Sequence, residues 1–109
     1  MAVKIPSIEF HIKLVSGEQH EFVRVIGADK RLWEETRARH HWPTQEEAPE
    51  LWAMFVAWSA LHRQGLFPQG FDSFTNEALD NIIPTDETAA EMGQTGKSVD
   101  PTQTAATPV

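Results

Sequence analysis

The sequence predicts an α+β domain: an N-terminal β-hairpin packed on a small bundle of about three helices, followed by a disordered C-terminal tail. Three observations predict it. Residues 8–15 alternate between apolar and polar, residues 30–40, 49–64 and 72–82 carry apolar stripes between helix start and stop signals, and residues 85–109 lose both pattern and bulk. A single domain over residues 1–84 accounts for the 109-residue chain. A domain of that size buries only about 60% of the surface its unfolded chain exposes, so apolar side chains must be used economically.

The hairpin spans residues 8–26. Ile8, Phe10, Ile12 and Leu14 fall on one side of the first strand and Glu9, His11 and Lys13 on the other, the period of a half-buried strand. Ser16-Gly17-Glu18 supplies a turn, and residues 19–26 resume with β-branched and aromatic side chains. A two-stranded hairpin is marginal alone, so its apolar face needs a helical cover.

The first helix runs from about 30 to 40, with Asp29 placed as its N-cap. Glu34 and Glu35 stand at i, i+4 spacing from Lys30, Arg31 and Arg39, which predicts a solvated, salt-bridged face. Trp42-Pro43 ends this helix, because the residue before proline is pushed out of the α region, and Trp42 packs under the break. Thr44-x-x-Glu47 has the form of a capping box but forms only a single turn, since Pro49 belongs at the first position of the second helix. That helix covers 49–64 and is closed by Gly65. The third, over 72–82, starts at Asp72, carries Phe71, Phe74, Ala78, Leu79 and Ile82 as one stripe, and stops at Ile83-Pro84.

The second helix is the unusual one. Wound at about 100° per residue, Leu51, Met54, Phe55, Trp58 and Leu61 fall in one arc and Trp52, Ala53, Val56, Ala57 and Ala60 in the other. Between Leu51 and Leu61 only Ser59 is polar, the pattern of a helix buried on all sides. A domain this small strains to wrap both arcs. The expected core is therefore Phe10, Ile12, Trp33, Leu51, Phe55, Trp58, Leu61, Phe71 and Phe74, and the alanine-rich arc, with Trp52, Val56, Ala60 and Arg63, is the expected partner-binding face. Coverage of both arcs within the monomer is the competing outcome.

Composition narrows the function. The chain has no cysteine, which removes disulfides, thiolate catalysis and cysteine-based metal sites. Sixteen acidic residues against nine basic ones give a net charge of -7, which disfavours nucleic acid, because phosphate binding draws on clustered cations. No signal peptide or run of membrane-span length is present, so a soluble cytosolic protein is expected. Among five histidines, the adjacent pair His40-His41 points in directions about 100° apart on a helix and cannot chelate one ion with His62 without distortion. Gly93 to Ser98 imitates the end of a phosphate-binding loop, but its earlier glycine is replaced by Glu91 and no strand precedes it. Glu34-Glu35 and Glu46-Glu47 are paired in sequence without a cleft. No catalytic, metal or cofactor residue is predicted, and the expectation is a protein that is not an enzyme.

The elements Trp33-Glu34-x-Thr36, Trp42-Pro43, Glu47-Ala48-Pro49, Trp52, Phe55, Ala57-Trp58-x-Ala60-Leu61, Arg63-x-Gly65 and Phe71-x-x-Phe74 follow one order with tight spacing across roughly residues 28–83. In this pattern the chain resembles the tail assembly chaperones of tailed bacteriophages of actinobacterial hosts. The resemblance implies a non-enzymatic protein of the infected cell's cytoplasm that binds the long, largely helical tape-measure protein, keeps it soluble during tail assembly, and is absent from the finished virion. It also implies a homo-oligomer or pairing with a longer frameshifted form, of which this chain is the short version. The family's tails can be strongly acidic, whereas residues 85–109 carry Asp86, Glu87, Glu91 and Asp100 against Lys97. Two other classes fit a small cysteine-free chain: a structural virion component such as a head-to-tail connector or tail-completion protein, and a host-directed regulator.

Overall fold

Strand β1 (Ile8–Leu14) and strand β2 (Gln19–Val25) form the expected antiparallel hairpin. The computed structural model describes residues 5–92, and the phosphate-loop-like stretch 93–98 and the rest of the expected tail to 109 lie outside them. Gly17, at φ +96°, turns the chain between the strands, where its lack of a Cβ removes the steric cost of that conformation. Phe10, Ile12 and Leu14 point inward with Val23 and Val25, and all five are buried. The register slips between Phe10, opposite Val23, and Ile12, opposite His20. Phe22 occupies this bulge at φ +54°, its N–H donates to His11 Nδ1 at 3.2 Å, and its ring turns outward to 61% exposure.

Helix α1 (Gly27–His40) begins a turn earlier than the sequence suggests. Asp29 is therefore not the N-cap; it stands at the third helical position, where its Oδ2 accepts the Ile26 N–H at 2.9 Å. The helix ends with His41 in the left-handed region, immediately before Trp42-Pro43. Ion pairs Arg31–Glu35 at 3.0 Å and Arg37–Glu34 at 3.4 Å lie along its outside. Helix α2 (Pro49–Arg63) has proline at its first position, as expected, and Gly65 at φ +76° follows its end.

Beyond α2 the structure departs from the expected helix over 72–82. A short turn of helix α3 (Phe71–Ser73) runs into a π-helical segment over Phe74–Ala78, and the chain then extends as strand β3 (Leu79–Pro84). β3 pairs antiparallel with β1, making a three-stranded sheet in the order β2-β1-β3. The helical stripe Phe71, Phe74, Ala78 continues no further: Leu79 and Ile82 instead pair with Leu14 and Ile12, which fills the edge of β1 and packs both against the core. Regular structure also continues past residue 84. Helix α4 (Asp86–Glu91) is capped by Thr85 and docks on β1 through Thr88, whose Oγ1 accepts the Glu9 N–H at 2.8 Å and donates to the Ser7 carbonyl at 3.3 Å.

One face of the sheet receives α2, and α1 packs on α2. The arc that meets the sheet is the alanine-rich one: Trp52, Val56 and Ala60 are 2%, 0% and 0% exposed, so they are core residues and not a free partner-binding face. Small Ala57 and Ala60 let the helix lie close to the strands, while Trp52 reaches Phe10. Phe10, Ile12, Trp33, Phe55, Leu61 and Phe74 are buried as expected, but Leu51, Trp58 and Phe71 are only half-buried. No helix of the described residues covers the opposite face of the sheet. Across it Phe22, His11 and the half-exposed Ile83 form a row, flanked by Arg24–Glu9 and Lys13–Asp80 ion pairs.

Candidate functional site

Because the sheet takes the arc of α2 that carries Trp52, Val56 and Ala60, the large residues of the other arc face away from it. Leu51, Met54 and Trp58 make one partly buried stripe at helical spacing. The C-terminal end of this stripe is sealed by aromatic packing. Trp58 stacks on His62 with ring centroids 5.0 Å apart, meets Phe55 at 5.4 Å and Phe71 at 5.8 Å, and donates its indole N–H to the Gln69 carbonyl at 2.9 Å. Trp42 closes the cluster from the turn between helices, 6.1 Å from Phe55 and 5.9 Å from Phe71, with His40 stacked on its outer side at 5.2 Å.

The N-terminal half of the stripe has no such cover among the described residues. Leu51, Ala53 and Met54 form one wall of an open groove of about 960 Å³, and Leu79, Ile82 and Pro84 of β3 form the other, with Met92 at one end. The charged side chains lining it are Glu47, Glu50 and Asp80, all acidic. Glu47 is held by the turn before α2: its Oε1 accepts the Thr44 N–H at 2.9 Å while its own N–H donates to Thr44 Oγ1 at 3.3 Å. The backbone bond from Thr44, followed by the side-chain bond from the same residue, keeps the Glu47 carboxyl below the usual carboxylate range. Glu50 lies in the first turn of α2, where negative charge meets the positive end of the helix dipole. Asp80 lies 3.7 Å from Lys13 Nζ, an ion pair about half exposed on both sides.

Arg63, expected to reach a partner, is committed elsewhere. Its guanidinium bonds both Asp29 oxygens at 3.3 and 3.1 Å and the Arg24 carbonyl at 3.2 Å. Asp29, 1% exposed, also accepts the Ser59 hydroxyl at 2.7 Å. His62 borders the same hollow, so serine, histidine and aspartate come near one another. They do not form a nucleophilic relay, because Ser59 bonds the carboxylate directly and His62 Nδ1 lies 3.0 Å from the Phe67 carbonyl. The node ties the end of α2 to the start of α1. Among the described residues no group of three or more histidine or acidic side chains is placed to hold a metal ion, and no helix is long and apolar enough to cross a membrane.

The site that sequence reasoning missed is the β3 wall. Its signal was Ile82-Ile83-Pro84, a β-branched pair before proline that fits a short edge strand as well as a helix stop. Comparison with known protein families, with curated proteins and with solved structures finds no match to this chain.

Proposed function

We propose that this protein is a non-enzymatic tail assembly chaperone of the tailed-phage type, which holds the long helical tape-measure protein soluble in the host cytoplasm while tail subunits assemble around it. The observation that carries the reading is the apolar groove between α2 and β3, which no other described residue covers. An uncovered groove of this kind accepts the apolar stripe of a helix. A net charge of -7 keeps complexes with an apolar client dispersed. The ordered motifs from Trp33 to Phe74 that resemble this chaperone family supply the client's identity.

Co-expression with the tape-measure protein tests the reading. The client stays soluble with the wild-type chain and precipitates with Met54→Asp, a partly buried position on the groove wall, with circular dichroism checking that the variant is folded. Equal solubility with both chains, or stoichiometric copies of the protein in purified virions, contradicts it, the latter in favour of a structural virion component.

A further inference from the structure

We infer that the groove between α2 and β3 takes an amphipathic α-helix with lysine or arginine beside its apolar stripe, and refuses an extended strand. The inference rests on the groove's role in the chaperone reading and adds the chemistry of what binds there.

A groove walled by a sheet-edge strand has two kinds of occupant: a strand that extends the sheet, or a helix that only lies against the walls. The main chain of β3 decides between them. Thr85 N–H donates to the Glu9 carbonyl at 3.0 Å, so alternation turns the N–H groups of 81 and 83 toward β1 and places positions 82 and 84 toward the free edge. The Ile82 N–H is already taken by Asn81 Oδ1 at 2.9 Å, and Pro84 has no N–H at all. Neither of these two outward positions can donate an N–H to an added strand. Side-chain capping and edge proline are the means by which sheets refuse edge pairing.

A helix needs none of those donors. Its apolar stripe would lie between Leu51 and Met54 on one wall and Leu79 and Ile82 on the other, with small Ala53 allowing close approach. Met54 is unbranched and adapts to different client side chains. Charge then selects among helices. Glu47 and Glu50 stand on the α2 side and Asp80 on the β3 side, and none of the described residues lining the groove is basic. Lysines or arginines flanking the client's stripe meet Glu47 and Glu50 on the α2 rim and, on the β3 rim, Asp80, which they share with Lys13, whereas a helix flanked by acids is repelled.

Fluorescence anisotropy with three labelled synthetic peptides tests this on the full chain: a leucine-striped helix flanked by lysine, the same helix flanked by glutamate, and a strand-forming peptide alternating valine and lysine. The lysine helix binds at least about tenfold more tightly than the glutamate helix at low salt, and the gap narrows as salt screens the rims. Met54→Asp abolishes its binding, Glu50→Lys weakens it, and near-ultraviolet circular dichroism of the tryptophans confirms that both variants stay folded. Equal binding of the two helices, preference for the strand peptide, or binding indifferent to Met54→Asp would overturn the inference. Selective lysine-helix binding without solubilisation of the tape-measure protein overturns the chaperone reading alone; solubilisation with equal binding of both helices overturns this inference alone.

Discussion

Trp52 on α2 meets Phe10 on β1 edge-on, with ring centroids 6.2 Å apart and an interplanar angle of 68°. The pair joins helix to sheet at the centre of the core, and Trp52 is as inaccessible as Phe55 on the helix's other arc. Trp52→Ala is therefore expected to cost about 3–5 kcal/mol of stability, as for other buried aromatics cut to alanine. Trp58→Ala, at a half-buried position, is expected to cost less. Urea denaturation monitored by circular dichroism gives both values, and a larger loss for Trp58 would contradict the assignment of the two arcs.

Asp29 anchors three groups at once: the Ile26 N–H, the Ser59 hydroxyl and the Arg63 guanidinium. Asp29→Ala takes the acceptor from the Ile26 N–H and the Ser59 hydroxyl, leaves Arg63 only the Arg24 carbonyl, and is expected to destabilise by about 3 kcal/mol. Ser59→Ala removes only one bond, leaves the carboxylate two partners, and is expected to cost about 1 kcal/mol. Denaturant midpoints check the order of the two.

Thr88 is fully buried, and its hydroxyl serves the Glu9 N–H, the Ser7 carbonyl and the Thr85 hydroxyl. Thr88→Val keeps the shape and strands those groups, for an expected loss of about 1–3 kcal/mol. Hydrogen exchange should show the effect first at the Glu9 amide and along α4, since this contact is what holds α4 to the sheet.

The turn before α2 makes a pH-dependent contribution. Glu47's folded-state pKa is lowered, so its stabilisation is complete above the ordinary glutamate value and is lost as pH falls through the lowered one. Thr44→Ala removes the hydroxyl bond and keeps the backbone one, which is the larger cause, so the Glu47 pKa should rise only part of the way to its ordinary value. Carboxyl carbon shifts followed by NMR across an acid titration measure this directly. A full return to the ordinary value would show that the hydroxyl alone was responsible.

The hairpin and the start of α2 were legible in the sequence because each rests on local chemistry. Ile8 to Leu14 alternate, and Pro49 suits only a first helical position. β3 was not legible, because Phe71, Phe74, Ala78, Leu79 and Ile82 satisfy a helical stripe, and only the vacant edge of β1, a tertiary partner, pulls the last of them into a strand. The side of α2 that meets the sheet was hidden for a different reason. A helix that is apolar all round has no polar face to mark its outside, so the choice fell to shape: the arc with Ala57 and Ala60 packs closer to the strands than the arc with Met54 and Trp58. The candidate groove was hidden on both counts, since one wall is β3 and the other is the half of α2 that the sheet left uncovered. Its acidic rim combines Glu47 and Glu50 with Asp80, roughly thirty residues away in sequence, and only pairing of β3 with β1 brings them to one groove.

The central claim is that this groove is where a helical client docks. Titrating the isotopically labelled chain with the lysine-flanked helix, and mapping amide shift changes by NMR, tests it most directly. The account predicts changes concentrated at residues 47–54 and 79–84, with the amides of β2, including Phe22 and Arg24 beside the sheet face opposite α2, unchanged. Changes centred on β2 and His11, with residues 47–54 silent, would contradict it.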